Sequence, residues 1–206
     1  MGWVQLARRA AVAAILGLDA RLRRWQRVAE FTAAEDHLLR LARLRSDRDL
    51  TLSDGTRVSK GDPIGELHLW NEHIPPMGPG GADFAWAVRA CHQAARSFQV
   101  LAAYVEREPA WQPVQAFRGQ ATFIVRNGFA RFPRILQRWG FEAVETGEAG
   151  RLRPLRELGP NAFALCLMWA FNPASVKTKR LWLLRRDQVW ISRRTLLAKA
   201  HRPPGG

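Results

Sequence analysis

The clearest pattern of apolar and polar positions runs through the middle of the chain, from residue 83 to residue 106. Apolar side chains recur there at steps of three and four residues, with arginine and glutamine between them. This spacing gathers the apolar side chains on one face of an α-helix. It predicts a long core helix whose buried stripe comprises Phe84, Val88, Cys91, Ala95, Phe98, Ala102 and Val105.

Residues 3–27 show a second helical pattern, and this one is strongly basic. Leu18, Leu22 and Trp25 share one face, while arginine occupies much of the remainder. Such a basic amphipathic helix either lies in a membrane interface or packs its apolar stripe on the protein body. The residues predicted to face a membrane or another anion are Arg8, Arg9, Arg21, Arg23, Arg24, Trp25 and Arg27.

Between residues 38 and 71 the pattern changes to strands and tight turns. The alternation in LLRLARLR favours a strand. Asp54-Gly55, between two short apolar runs, predicts a hairpin, and Gly61-Asp62-Pro63 predicts a turn before the strand IGELHLW. Together these signals predict a small antiparallel meander of three or four strands.

Strands and helices alternate in the second half of the chain. The predicted elements are a strand over 114–125, a helix over 127–140, a short strand over 141–146, a loop over 147–158, an apolar helix over 162–171, a hairpin over 181–192 and a last helix over 193–200. The helix over 127–140 starts or kinks at Pro133. The helix over 162–171 is apolar on every side, so we expect it to be buried.

This mixture favours an α+β (mixed α/β) fold over a regular doubly wound sheet. A basic N-terminal helix over 1–27 precedes one globular domain over 28–200, and a disordered tail over 201–206 follows. Within the domain we expect the meander, the long core helix, a βαβ-like section, the buried apolar helix and a C-terminal hairpin.

Composition changes this picture mainly through charge. The formal net charge is +14, which implies an acidic partner such as an anionic membrane surface, a phosphorylated glycan or nucleic acid. Nine tryptophans suit membrane interfaces, sugar faces and protein partners alike, and packing in the core is an equal alternative for most of them.

The cysteines and the apolar runs bear on the compartment. Cys91 and Cys166 both sit among apolar residues, which predicts buried free thiols and a reducing environment. The apolar runs over 10–18 and 162–171 are too short to span a bilayer, and no convincing cleavage site follows the first. We therefore expect a cytoplasmic protein without a transmembrane helix or a cleaved signal peptide.

The stretch GDPIGELHLWNEHIPPM, over 61–77, holds the densest set of chemically active side chains. Alternate residues of a strand face the same side, so Glu66, His68 and Trp70 share one face. The leucines at the alternate positions then face the core. The polar groups would therefore meet where the strand leads into the proline loop.

Three hypotheses compete for this stretch. A metal site would use His68 and His73, although their spacing matches no zinc motif, so no metal is predicted. A catalytic pair would be Glu66 with His68, acting as general acid and base. In the third hypothesis, polar groups position the loop or a ligand, and the candidates are Asp62, Trp70, Asn71, Glu72, His73 and Asn172. The chain has no P-loop, GxGxxG, GxSxG or kinase motif, so no cofactor is predicted.

Four blocks of the sequence carry a resemblance: LTLSDGTRVSKGDPIGELHLWNEHIPPM (Leu50–Met77), RWGFEAV, LMWAFNPAS (Leu167–Ser175) and WISRRTLL. In these blocks, over nearly its whole length, the chain resembles the YkoP-like family of largely uncharacterised bacterial proteins. The resemblance implies a bacterial protein whose relatives occur fused to, or encoded beside, polysaccharide deacetylases and envelope glycosyltransferases. It implies no catalytic residue.

Three functions follow as hypotheses. The first is an accessory factor in envelope polysaccharide or glycolipid metabolism, peripheral on the inner membrane, with anionic lipid, phosphorylated glycan or envelope-glycan enzymes as partners. The second is an enzyme that acts on an envelope sugar through Glu66 and His68. The third is a nucleic-acid-binding protein, which the positive charge permits although the arginines form no recognition motif.

Overall fold

The structure of the protein is a computed structural model that describes residues 2–126, 129–130, 134–144, 153–176 and 184–201. Its helices are α1 (Gly2–Trp25), α2 (Phe84–Arg107), α3 (Arg134–Arg138), α4 (Arg153–Phe171) and α5 (Arg193–Ala200). Its strands are β1 (Leu39–Arg45), β2 (Leu50–Thr51), β3 (Arg57–Val58), β4 (Pro63–Leu69), β5 (Ala116–Arg126), β6 (Phe129–Ala130), β7 (Glu142–Val144) and β8 (Leu184–Ser192). Most of the predicted tail, over 202–206, lies outside the described residues.

The central sheet has the strand order β1-β4-β5-β8-β7, and β6 pairs with the far end of β5. The pairings along this path are antiparallel except that of β4 with β5, which run parallel. A parallel pair needs a crossover between its strands, and α2 supplies it. The sheet is mixed, and helices and strands do not alternate in a regular βαβ order along the chain. This confirms the predicted α+β class.

The predicted meander is wrong in its connections. β1 pairs directly with β4 from end to end, with Leu39 opposite Leu69. The residues between them form a separate two-stranded sheet, β2 with β3, around the predicted turn. Gly55 in that turn has φ +83°, a conformation that favours glycine. Because β1 and β4 hydrogen-bond directly to each other, the β2–β3 hairpin cannot lie between them in the sheet.

One face of the central sheet is covered by α2 and α5. The core on this side includes Leu41, Leu67, Phe117 and Ile191 of the sheet and Leu101 of α2. Burial within α2 is confined to its C-terminal half, because α5 and the sheet pack against that half. On β4, Leu67 therefore points into this core, whereas Leu69, at the end of the strand, is exposed.

The predicted stripe of α2 is buried only from Phe98 onward. Phe84 is 86% exposed, and Val88 and Cys91 are also exposed. Cys166 is exposed on α4, so the prediction of two buried thiols is wrong. Both cysteines are exposed on helix surfaces in the part of the chain that the structure describes, and the inference of a reducing compartment loses its support.

The β2–β3 hairpin covers one end of the opposite sheet face. Leu52 and Val58 of the hairpin region pack there with Ile64, Ala116 and Trp190. This small second core leaves the rest of that face to polar side chains, which form the first part of the candidate site described below.

Asp54, at the tip of the hairpin, ties it to the start of α5. Its carboxylate accepts hydrogen bonds from Ser192 Oγ and from Thr195 Oγ1, the latter at 3.0 Å. Burial raises the pKa of Asp54, but hydrogen bonds from Ser192, Thr56 and Thr195 outweigh burial and hold this pKa well below its usual value. The aspartate of the predicted turn is therefore a structural clamp.

The apolar helix begins earlier than predicted. α4 starts at Arg153 and contains Pro160, so the predicted loop over 147–158 is wrong from residue 153 onward. The residues before Pro160 include leucine, arginine and glutamate, which favour a helix strongly enough to continue past one missing backbone N–H. Nor is α4 buried throughout, because it packs on α1, on β8 and on the turn over Asn71–His73 but leaves Leu158 and Cys166 exposed.

The predicted C-terminal hairpin is also wrong where the structure describes it. Residues 184–192 form one strand, β8, whose Asp187 and Gln188 lie opposite residues in the middle of β5. Because β5 is long enough to pair with all of β8, the chain needs no turn there. The last helix, over 193–200, is confirmed, and α3 begins directly after Pro133, although β6 takes part of the helix predicted over 127–140.

In the part of the chain that the structure describes, no helix combines the length and the apolarity required to cross a bilayer.

Candidate functional site

A row of side chains crosses the sheet face opposite α2 and α5, and it runs from polar residues to the small core under the hairpin. Glu66 on β4 is in register with Arg118 on β5, and Arg118 is in register with Trp190 on β8. Two residues further along β4, His68 lies opposite Arg40 of β1. Because residues in register face the same side of a sheet, the structure places Glu66 and His68 together on this face.

Glu66 is the centre of a compact group of charges. Arg118 donates to its Oε1 at 3.0 Å, and a second nitrogen of Arg118 lies 3.5 Å from Asp47. His68 Nε2 lies 3.3 Å from Glu66 Oε2, but without the alignment of a hydrogen bond. Burial raises the pKa of Glu66, yet the contacts with His68 and Arg118 outweigh burial and hold this pKa below its usual value. Glu66 is therefore ionised and paired at neutral pH, which does not suit a general acid.

A second ion network lies beside the first, around Arg40. The Arg40 side chain is only 4% exposed, and it pairs with Glu72 at 3.4 Å and with Glu30 at 3.2 Å. Its guanidinium carbon also lies 4.1 Å from the centroid of the Trp70 ring. Arg23 of α1 approaches Glu72 to 3.8 Å. Glu72 is thus engaged in ion pairs that join α1, β1 and the end of β4.

Trp70 and His73 form a stack where the chain leaves β4. Their ring centroids are 3.9 Å apart and their planes differ by 15°. His73 Nδ1 lies 2.8 Å from the backbone oxygen of His37, and a carbonyl can only accept, so Nδ1 carries the proton. In the neutral ring Nε2 then keeps a lone pair, and it has no partner among the described residues.

His73 lines a cleft of about 800 Å³ beside the N-terminal half of α2. Small-molecule sites commonly enclose roughly 300–1,000 Å³, so the cleft is large enough for a ligand. Glu66 and His68 are not among its lining residues. Its charged and imidazole-bearing lining consists of Glu35, Asp36, His73, Arg89, His92 and Arg96.

The loop after His73 is held firmly against its neighbours. Asn172, at the end of α4, accepts a hydrogen bond from the backbone N–H of Met77 at 2.8 Å. Gln93 of α2 donates to the carbonyl oxygen of His73 at 2.9 Å. Asn172 is buried, so the predicted ligand residue acts as a brace for one wall of the cleft.

The other predicted ligand residues lie apart from the cleft. Asp62 accepts a hydrogen bond from the backbone N–H of Ser59 at 2.7 Å, within its own turn. Asn71 opens the 3₁₀ turn that ends at His73. His68 and His73 belong to no group of three or more potential metal ligands within the described ranges.

The basic residues of α1 lie on two sides of the helix. Arg23 turns inward and pairs with Asp19 at 2.8 Å, and Arg8 lies 5.9 Å from the ring centroid of Trp169 on α4. α1 thus packs one side on the protein body and presents the other to solvent. The exposed candidates are Arg8, Arg9, Arg21, Arg24 and Trp25 on α1 and Arg27 just after its end.

Sequence reasoning missed two groups of residues. The first comprises Arg40 and Arg118, charged residues inside strands, and their position among apolar neighbours was a signal of a paired buried charge. The second comprises Glu35, Asp36 and Arg89, which meet across the cleft only through the tertiary fold. No local pattern connects the loop over 35–36 with the polar side of α2.

These features define an α+β protein in which one strand of a mixed sheet leads from a paired charge cluster to an open polar cleft. The chain belongs to the YkoP family, because the family model of the YkoP domain matches residues 8–200. Comparison with curated proteins and with solved structures found no match.

Proposed function

We propose that the protein binds the anionic inner surface of a bacterial membrane through α1, and acts there as an accessory factor in envelope polysaccharide or glycolipid metabolism. The observation that carries the proposal is the outward side of α1. Trp3 and Trp25, near its two ends, are 86% and 80% exposed, and Leu6 and Leu18 between them are also exposed.

These four apolar side chains form one surface. With 3.6 residues per turn they fall within an arc of about 120° on a helix about 36 Å long. The other positions on that arc are small, namely Ala7, Ala10, Ala14 and Gly17, except for Arg21 and Arg24 near its C-terminal end. Tryptophan at both ends of an apolar helix side suits the level of lipid headgroups.

The charges of α1 agree with an anionic surface. Asp19 is the acidic residue of this helix, and it faces inward in its pair with Arg23. Arg21 and Arg24 are exposed beside Trp25. Each basic residue near an anionic bilayer contributes roughly 1 kcal/mol to binding, so these arginines supplement the apolar contact.

The glycan part of the proposal has separate support. It comes from the four sequence blocks that resemble the family whose relatives occur with polysaccharide deacetylases and envelope glycosyltransferases. The polar cleft beside His73 is large enough for a sugar and carries groups that can bind its hydroxyls.

Vesicle flotation tests the membrane part. Wild-type protein should float with phosphatidylcholine vesicles that contain phosphatidylglycerol, and much less with phosphatidylcholine alone, at low salt. Trp3→Ser with Trp25→Ser should weaken flotation at least about tenfold, because two large apolar side chains lose their burial in lipid. The matched control is Phe84→Ser on α2, which removes an equally exposed aromatic side chain. Equal recovery with both vesicles, or an equal loss in the control, would contradict the proposal.

A further inference from the structure

We infer that the cleft beside His73 binds an acidic carbohydrate, that is, a hydroxyl-rich ligand carrying a carboxylate or phosphate group. The inference deepens the glycan part of the proposed function and is independent of lipid binding by α1. It follows from which groups around the cleft are already paired and which remain available.

The charges of the cleft fall into a paired and an unpaired set. Asp36 and Arg96 form an ion pair at 3.0 Å and largely neutralise each other. Arg89 and Glu35 line the same cleft, and neither makes an ion pair or hydrogen bond with the described part of the chain. A ligand that satisfies both must offer an anion to Arg89 and hydrogen-bond donors to Glu35. An acidic sugar offers both within one small molecule.

His73 adds an acceptor of fixed orientation. Its Nδ1 proton is committed to the His37 carbonyl, and its ring is stacked on Trp70. Nε2 is left to accept a hydrogen bond from a ligand hydroxyl. His92 lines the same cleft from an exposed position on α2 and provides a second imidazole.

The wall that carries His73 is already in place before any ligand arrives. Trp86 donates from its indole nitrogen to the carbonyl oxygen of Pro75 at 2.7 Å, and Gln93 holds the carbonyl of His73. A site fixed in this way loses little conformational entropy on binding. The described lining has no phenylalanine, tyrosine or tryptophan, so a nucleobase would lack an aromatic ring on which to stack.

The five histidines make the inference directly testable. Protein labelled with ¹⁵N at histidine gives imidazole signals for two cleft residues, His73 and His92, and for His68 and His201 as internal references. His37, whose carbonyl is bonded to His73, is followed as well but is not used as a reference. The probes are glucuronate, glucose 1-phosphate and glucose, each titrated without vesicles. Glucuronate and glucose 1-phosphate separate the carboxylate from the phosphate source of the anion, and glucose lacks the anion.

We expect at least one acidic probe to shift the His73 and His92 signals with millimolar affinity, while His68 and His201 stay unchanged. Glucose should bind at least about fivefold more weakly because Arg89 gains no anionic partner. Equal affinity for glucose, equal shifts at all five histidines, or no shift at all would overturn the inference.

Two variants locate the contacts. Arg89→Gln should reduce affinity for the acidic probe about tenfold, to the level of glucose, because it removes a charge-assisted hydrogen bond. His73→Phe keeps a ring for Trp70 to stack on but removes Nε2, and binding followed at His92 should weaken several-fold. Phe84→Ser, on the same helix but outside the cleft lining, should bind the probe like wild type. Unchanged binding in Arg89→Gln would contradict the site.

The lipid and sugar proposals fail separately. Trp3→Ser with Trp25→Ser should keep the probe-induced shifts while it loses flotation. Arg89→Gln should lose probe binding while it still floats. A protein that floats but shows no shift with any probe refutes the cleft ligand and leaves the membrane proposal standing.

Discussion

Two polar regions lie at opposite ends of one short stretch, β4 and the turn after it, and they differ in what their charges already do. At Glu66, the carboxylate is ionised, mostly covered and paired with Arg118 and His68. At the cleft, Arg89 and Glu35 are exposed and unpaired among the described residues, and His73 keeps a nitrogen available.

This difference separates a structural cluster from the proposed binding site. Removing the partner of a buried charge strongly destabilises the folded protein, whereas an exposed charge contributes little to its stability. The Glu66 cluster should therefore matter for stability and the cleft for binding. Substitutions in the two regions can break or sharpen that contrast.

The largest effect is expected at Arg118. Arg118→Met leaves Glu66 covered and without its main partner, and should lower the free energy of unfolding by about 3–5 kcal/mol. Urea denaturation followed by circular dichroism measures this change.

Two further variants check the cause. Replacing both partners, with Glu66→Gln and Arg118→Met together, should restore most of the lost stability, because no unpaired charge remains. Arg89→Met in the cleft should change stability by less than about 0.5 kcal/mol. If Arg118→Met and Arg89→Met cost the same, the contrast between the two regions is wrong.

Asn172 should give the next largest effect, and it connects both properties. Asn172→Ala leaves the backbone N–H of Met77 without its acceptor, which should cost about 1–3 kcal/mol of stability. It should also weaken binding of the acidic probe, since the loop after His73 loses its brace. Asn71→Ala is the matched control, and similar losses in both variants would show that the brace has no special role.

The pH dependence of stability should carry a contribution from His37. Burial is the main cause that lowers the pKa of His37, assisted by the nearby His73 and opposed by Asp36. The unfolded chain therefore binds a proton at this residue at a higher pH than the folded chain does. Stability from His37 is present above the usual value of 6.5 and is lost as pH falls below it.

The measurement is the urea midpoint between about pH 7.5 and about pH 5.5. The midpoint should fall over this interval in the wild type and fall less in His37→Phe, which keeps an aromatic ring against Phe31. His201→Gln, an exposed control, should behave like the wild type. A midpoint that rises as the pH falls, and does so equally in all three proteins, would refute the assignment.

Apart from the Arg89→Met control, the smallest change in stability is expected at His73. His73→Phe retains the stack with Trp70 and removes one hydrogen bond to the His37 carbonyl, so it should cost no more than about 1.5 kcal/mol. Its effect on probe binding should be clear in spite of that small cost. A stability loss as large as that of Arg118→Met would show instead that His73 mainly stabilises the fold, as the Glu66 cluster does.

Periodicity and turn chemistry predicted the elements that depend on local sequence. α2, α5, β4 and the turn at Gly55 all follow from side-chain spacing or from a residue that tolerates positive φ. The errors fall where distant partners decide. β8 stays straight because β5 pairs along all of it, and the hairpin leaves the meander because β1 and β4 join each other.

The candidate site shows the same division. Alternation along a strand predicted that Glu66 and His68 share one face, but the neutralising Arg118 comes from β5, across the parallel crossover. Predicting the cleft would also have required the tertiary packing, because Glu35 and Arg89 meet there only after α2 has packed beside the loop. Burial of α2 was overestimated for a related reason: the pattern marks an apolar side, but not whether a second layer reaches it.

The position of β8 in the sheet also affects synthesis on the ribosome. This strand is formed by residues 184–192 of a 206-residue chain, yet it lies between β5 and β7. A nascent chain that has not yet delivered these residues exposes an unpaired edge of β5, which is the kind of edge that attracts other strands. The sheet can therefore close only after residues 184–192 have left the ribosome, and truncations that remove these residues should yield aggregates rather than smaller folded proteins.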